Sequence, residues 1–149
     1  MILPDEHHLW RRLIDDPNHI VWDSELGWLP NPRSAISLQM NPDLSMQWRE
    51  HLRRHNIAPA GILGEDGRYT LAAELLIDDA RALRFSVTHS PLGPSPLDCS
   101  HTSVDWPMDQ TQNPPARPNR DERLRLRYDM SAKFKLVYGN VRTQVPEGS

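Results

Sequence analysis

Residues 71–107 hold the most continuous apolar material in the chain, so any core it builds has to include them. Ala72, Leu75, Leu76, Ala80 and Leu83 recur at helical spacing while Glu74, Asp78 and Arg81 face away, which predicts a helix starting after Thr70. A short strand is expected at 85–88, then a proline-broken loop over 91–100, then a second strand at 101–106. On that second strand His101, Ser103 and Asp105 share one face, and Thr102, Val104 and Trp106 share the other.

The remainder is organised by its prolines. There are 14 of them in 149 residues, about twice average usage, so loops occupy much of the chain. Pro4, Asp5 and Glu6 suit the first turn of a helix over 4–15 that Pro17 stops, with Leu9, Trp10, Leu13 and Ile14 as its apolar side. A short strand at 20–22 and a loop marked by Gly27, Pro30, Asn31 and Pro32 follow. Alternation of Ile36, Leu38 and Met40 with Ser37 and Gln39 predicts a strand over 34–40. Asn41 and Pro42 then read as the cap and first position of a helix reaching His55 and burying Leu44, Trp48 and Leu52. A weak hairpin signal covers 62–69.

Pro107, Pro114, Pro115 and Pro118 mark a linker. Beyond it Leu124, Leu126 and Tyr128 alternate with Arg123, Arg125 and Arg127, and Phe134 and Leu136 alternate with Lys133 and Lys135. Two strands, 124–128 and 133–138, follow from that pattern. Together these readings predict an α+β chain: a single compact body at 1–107 with about three helices on a small mixed or antiparallel sheet, a proline-rich linker at 108–119, and a basic β-hairpin and tail at 120–149.

Charge is divided along the same line. Residues 1–116 carry 9 Lys or Arg against 16 Asp or Glu, a balance of −7, and residues 117–149 carry 8 against 4, a balance of +4. A basic face of that kind suits an acidic protein partner or the chain's own acidic body, or nucleic acid bound through residues 120–138 with arginines on phosphates and aromatics on bases. The expectation that follows is a non-enzymatic, partner-binding protein, with Arg123, Arg125, Arg127, Lys133, Lys135 and Tyr128 as contacts and Trp22 and Trp28 as anchors. No apolar run reaches the 18 residues of a membrane span, the first residues lack a signal-peptide layout, and Cys99 is the single cysteine, so a cytoplasmic, membrane-free location is expected.

The competing expectation is a small hydrolase or nuclease using His101, Asp105 and His89, with Ser103 beside them. The tetrapeptide His101-Thr102-Ser103-Val104 is similar to one copy of the His-x-Ser/Thr-x motif of the 2H phosphoesterases, whose two histidines act as acid and base on an RNA phosphodiester. His89 is followed by Ser90 and Pro91, so the hydroxyl of a second copy is missing. A Gly-rich phosphate loop, an HExxH, a cysteine cluster and a GxSxG elbow are all absent, and neither cofactor nor metal is expected. His51 and His55 have the i, i+4 spacing of zinc ligands, but Arg53 and Arg54 beside them disfavour a cation.

Overall fold

The computed structural model describes residues 1–36 and 44–148. The chain forms strand β1 (His8–Leu13), a hairpin of β2 (Ile20–Asp23) and β3 (Gly27–Pro30), then β4 (Leu44–Trp48) running straight into helix α1 (Arg49–Arg54). A 3-10 turn (Pro59–Ile62), β5 (Leu71–Leu76), α2 (Ile77–Ala82), β6 (Ser86–His89), the single-turn α3 (Pro96–Cys99) and β7 (His101–Asp105) come next. Helix α4 (Arg120–Ser131) and strand β8 (Lys135–Tyr138) end it. Six strands make one sheet in the order β6-β7-β4-β1-β5-β8, antiparallel at every pairing, and β2 and β3 pair separately.

The fold is therefore α+β, but its centre is more strand-rich than the apolar spacing predicts. The expected first helix is the central strand β1, hydrogen-bonded to β4 on one side and β5 on the other. Leu9 and Leu13 face one side of the sheet and Trp10 the other, and all three are buried. A strand covered on both faces has no reason to alternate, so its apolar positions fall by accident at helical intervals. The same cause explains β5, where Leu71, Ala72, Ala73, Glu74 and Leu75 are buried in succession. Only Ile77–Ala82 of the helix expected there is helical, and the switch is held by the N–H of Ile77 on the His7 carbonyl and that of Asp78 on the Asp5 carbonyl.

In the expected helix over 41–55, Leu44–Trp48 is a strand and Arg49–Arg54 the helix, although Leu44, Trp48 and Leu52 are buried as anticipated. The cap positions Asn41 and Pro42, and most of the strand expected at 34–40, lie outside the described residues, while Ser34, Ala35 and Ile36 sit in a turn and bend. Gly27 opens a return strand instead of a loop. Asp23 accepts the N–H groups of Glu25 and Leu26, and Gly27 takes φ 85°, so the chain reverses tightly enough to pair Trp22 with Trp28. Residues 62–69 hold no strand. The strands expected near 20–22, 85–88 and 101–106 are β2, β6 and β7.

At the C-terminal end the first arm of the expected hairpin is replaced by α4. Asn119 caps it by accepting the Glu122 N–H at 2.9 Å, Asp121 and Glu122 occupy its positive end, and Arg125 pairs with Asp129 one turn on. Leu126 and Met130, four apart, are buried on one side, a placement a helix allows and worth about 1.5–3 kcal/mol for each side chain. The alternation of leucine with arginine was a dipeptide repeat inside a helix. The second arm is a strand, β8, but it pairs with β5 of the main sheet.

One face of the sheet carries Leu9, Met46, Leu75 and Val104, and Ile20, Leu126, Met130 and Phe134 close over it. The other face carries Trp10 and Ala72, covered by Leu52 of α1 and Ile62 of the 3-10 turn. Residues 120–138 thus contribute to the same core as residues 9–104. No helix among the described residues is long and apolar enough to cross a membrane.

Candidate catalytic site on the sheet face

Strand β7 has the two faces expected of it: Thr102 and Val104 are fully buried, Trp106 just beyond the strand end is 2% exposed, and His101, Ser103 and Asp105 are half-exposed. What surrounds the second face is set by register. Gln47 stands opposite His101 and Ser45 opposite Ser103, which makes Ser45 the diagonal neighbour of His101 on the same face. The Nε2 of His101 lies 3.0 Å from the Ser45 hydroxyl, and its Nδ1 lies 2.9 Å from both the Ser90 carbonyl oxygen and the Ser90 hydroxyl. The Ser90 hydroxyl is also 2.7 Å from that of Ser103.

This arrangement assigns the ring proton. A carbonyl oxygen can only accept, so its approach to Nδ1 places the proton there and leaves the Nε2 lone pair to accept from the Ser45 hydroxyl. Ser45 is exposed. A hydroxyl facing solvent, hydrogen-bonded to an imidazole whose other nitrogen is anchored, is the geometry of an activated nucleophile with its base and orienting group. Sequence reasoning found His101 and Ser103 and missed Ser45, because residues 44–48 read as helix. As a strand, Leu44-Ser45-Met46-Gln47-Trp48 alternates buried and open positions, and that alternation is the signal that could have found it.

His89 does not join this face. It stands opposite Thr102 in the β6–β7 register and therefore lies on the other side of the sheet, with Nε2 2.6 Å from the Cys99 carbonyl and its ring edge-on to Trp48 at 5.3 Å. Asp105 stands opposite Ser86 at the far end of the same pairing.

Around Trp48 the chain gathers a second group, of which the sequence spacing suggested only the His51 and His55 pair. The indole N–H donates to His7 Nδ1 at 3.0 Å, the His51 ring stacks on the indole at 5.5 Å, and Arg54 lies over it at 5.3 Å. His51 and His55, one turn apart on α1, have ring centroids 4.8 Å apart. Burial first, and then the positive charge of His55, Arg54 and His89, lowers the His51 pKa and favours its neutral ring. Among the described residues no three or more histidine, cysteine or carboxylate side chains are arranged to hold one metal ion.

The basic residues expected to meet a partner are mostly engaged within the chain. Arg125 bridges Glu122 and Asp129 at 2.5 and 2.9 Å, Arg123 donates to the Pro118 carbonyl at 2.7 Å, and Arg127 lies over the Trp106 ring at 5.5 Å. Lys135 stands 3.7 Å from the buried Glu74, while Lys133 is exposed. Tyr128 is 49% exposed and accepts from Arg33. Trp22 and Trp28 pack edge to face at 5.3 Å, both half-buried. Comparison of the chain with protein-family models, with curated proteins and with solved structures found no match.

Proposed function

We propose that the protein is a small hydrolase in which Ser45 is the nucleophile and His101 its general base. The observation that carries this reading is the relay from the Ser45 hydroxyl to His101 Nε2 at 3.0 Å, and from His101 Nδ1 to the Ser90 carbonyl at 2.9 Å. Ser45 Oγ attacks the carbonyl carbon of an ester while its proton passes to His101 Nε2. The imidazolium then returns that proton to the departing alcohol, leaving an acyl group on Ser45, and water activated by the same nitrogen releases the acid. A carboxylic ester is preferred to a phosphodiester, because two-histidine chemistry on phosphorus needs both rings on one side and His89 lies across the sheet from His101.

A fluorophosphonate probe tests this directly. It should form one adduct, mapped by mass spectrometry to Ser45, which is lost in Ser45→Ala and slowed about 100-fold or more in His101→Ala, the lower range for losing a general base. Ser103→Ala should label within a few-fold of the parent. An adduct elsewhere, or an unchanged rate in folded His101→Ala, overturns the reading.

Docking of an acidic protein on the C-terminal segment is the second reading. It is favoured by the position of β8 at the end of the strand order, where a partner strand could add, and by the exposure of Lys133, Tyr128 and Tyr138. It draws less support because Arg125 and Lys135 already face carboxylates of this chain.

A further inference from the structure

A small cavity of about 160 Å³ opens at the end of β1, lined by Arg11, Arg12, Arg68, His19, Tyr69 and Ser34 among others, and no carboxylate lines it among the described residues. Arg11 is its unusual member. The residue is half-exposed, and burial lowers its pKa to about 10. Nε donates to the Ala35 carbonyl at 2.9 Å and one Nη to the Ser45 carbonyl at 2.8 Å, so two of its donors are satisfied by neutral oxygens, and among the described residues no carboxylate meets its charge. Among the described residues none of Arg11, Arg12 and Arg68 forms an ion pair with a carboxylate.

Three described carboxylates of neighbouring segments have other hydrogen-bond partners. Asp16 holds the His19 ring at 2.7 Å, Asp15 accepts from the amides of Arg142 and Thr143, and Asp66 accepts from the Arg68 amide. Arg12 and Arg68 both lie over the Tyr69 ring, at 3.9 and 5.5 Å from its centroid. Arg12, Arg68 and Arg11 all line the cavity with that ring. Partly burying the Arg11 cation with no carboxylate beside it among the described residues costs free energy, and an anion held between Arg11 and the exposed Arg12 and Arg68 would offset that cost.

We infer that this cavity is a binding site for the phosphate group of a small ligand. Arginine forks match tetrahedral oxyanions in shape as well as charge. The cavity of about 160 Å³ has room for such a group with a few waters, at about 30 Å³ each, and is smaller than the 300 Å³ or so at which pockets for larger organic ligands begin. The site is separate from the Ser45 hydroxyl, although Arg11 holds the Ser45 backbone from behind.

The test is titration calorimetry of the full chain in chloride buffer with inorganic phosphate and, separately, with glycerol phosphate. One binding site is expected, with a raised melting temperature. Arg68→Ala, at an exposed position, should weaken binding about tenfold or more, Arg11→Lys should do at least as much, and Arg120→Ala on α4 should change nothing. Tighter binding of the monoester identifies a phosphorylated metabolite as the ligand, and equal binding identifies phosphate itself. Absence of heat and of a melting shift at 10 mM of either probe, or affinity unmoved by Arg68→Ala, overturns the inference. The probe labelling at Ser45 is read independently, so either idea can fail alone.

Discussion

Arg49, at the start of α1, places one Nη 2.5 Å from Oε1 of Glu74, a carboxylate only 5% exposed in the middle of β5. The same oxygen accepts the Trp10 indole N–H at 3.1 Å, and Lys135 stands 3.7 Å from the other oxygen. Three elements that are distant in sequence are tied to one buried charge. Helix α1 is too short to be stable by its own hydrogen bonds, at six residues. Its attachment to the sheet through Arg49 and Leu52 is what holds it.

Removing Arg49 should therefore cost more than removing both partners. Arg49→Ala strands the carboxylate and should lose about 3–5 kcal/mol, whereas Arg49→Ala combined with Glu74→Leu should recover much of it. Urea denaturation of the two variants, compared with Glu74→Leu alone, measures the coupling.

Stability should fall on acidification. Burial opposes ionisation of Glu74, but hydrogen bonds from Arg49 and Trp10 and the Arg49 charge outweigh it and lower its pKa below the ordinary 4.5. A lowered carboxylate adds stability above its unfolded pKa and loses it as pH falls from 4.5 through the folded value. His51, also lowered, adds an earlier loss that begins as pH falls below 6.5, because the unfolded chain takes up the proton first. Denaturation midpoints across pH 7 to 3 should decline in two stages, and His51→Gln should remove the first.

The C-terminal segment should prove inseparable from the body. Met130 is fully buried and Leu126 nearly so, and Met130→Ala should cost about 2–5 kcal/mol. A chain ended after Pro107 loses α4 and leaves β5 without β8, so it should fail to give a cooperative melt by circular dichroism.

Gly139 should not tolerate alanine. It holds φ 96°, and an added Cβ would come 2.5 Å from the Thr70 carbonyl oxygen, backbone that cannot move aside. Gly139→Ala should cost more than about 1 kcal/mol, while Gly67→Ala, with φ 74° but open space, should cost less. Thermal melts of the two variants compare clash with strain alone.

The elements visible in sequence are those with one dry and one wet face. Strand β7 could be read residue by residue because Thr102 and Val104 are buried while His101 and Ser103 are half-exposed. The hidden ones are β1 and β5, where consecutive side chains such as Leu9 and Trp10, or Leu71 to Leu75, are buried on opposite faces and carry no period of two. Helix α4 was readable in principle from the Asn119 cap and its acidic first turn, and was lost to a stronger apparent alternation. The candidate site divided the same way: the shared face of His101 and Ser103 was legible in the sequence, while the approach of Ser45 and the gathering of His7, His51 and His89 around Trp48 were not.

By itself, the sequence determined the α+β composition, the positions of β2, β6 and β7, and the polar face of His101. These depend on local sterics and on the side chains of a few neighbouring residues. The tertiary structure alone decided that Ser45 meets His101 across 56 residues of chain, that Arg11 lines a cavity with no carboxylate among its described residues, and that the basic C-terminal segment packs on its own core. Such relations follow from strand order and register, which are chosen by how the whole set of apolar faces is buried together, a global quantity no local window contains.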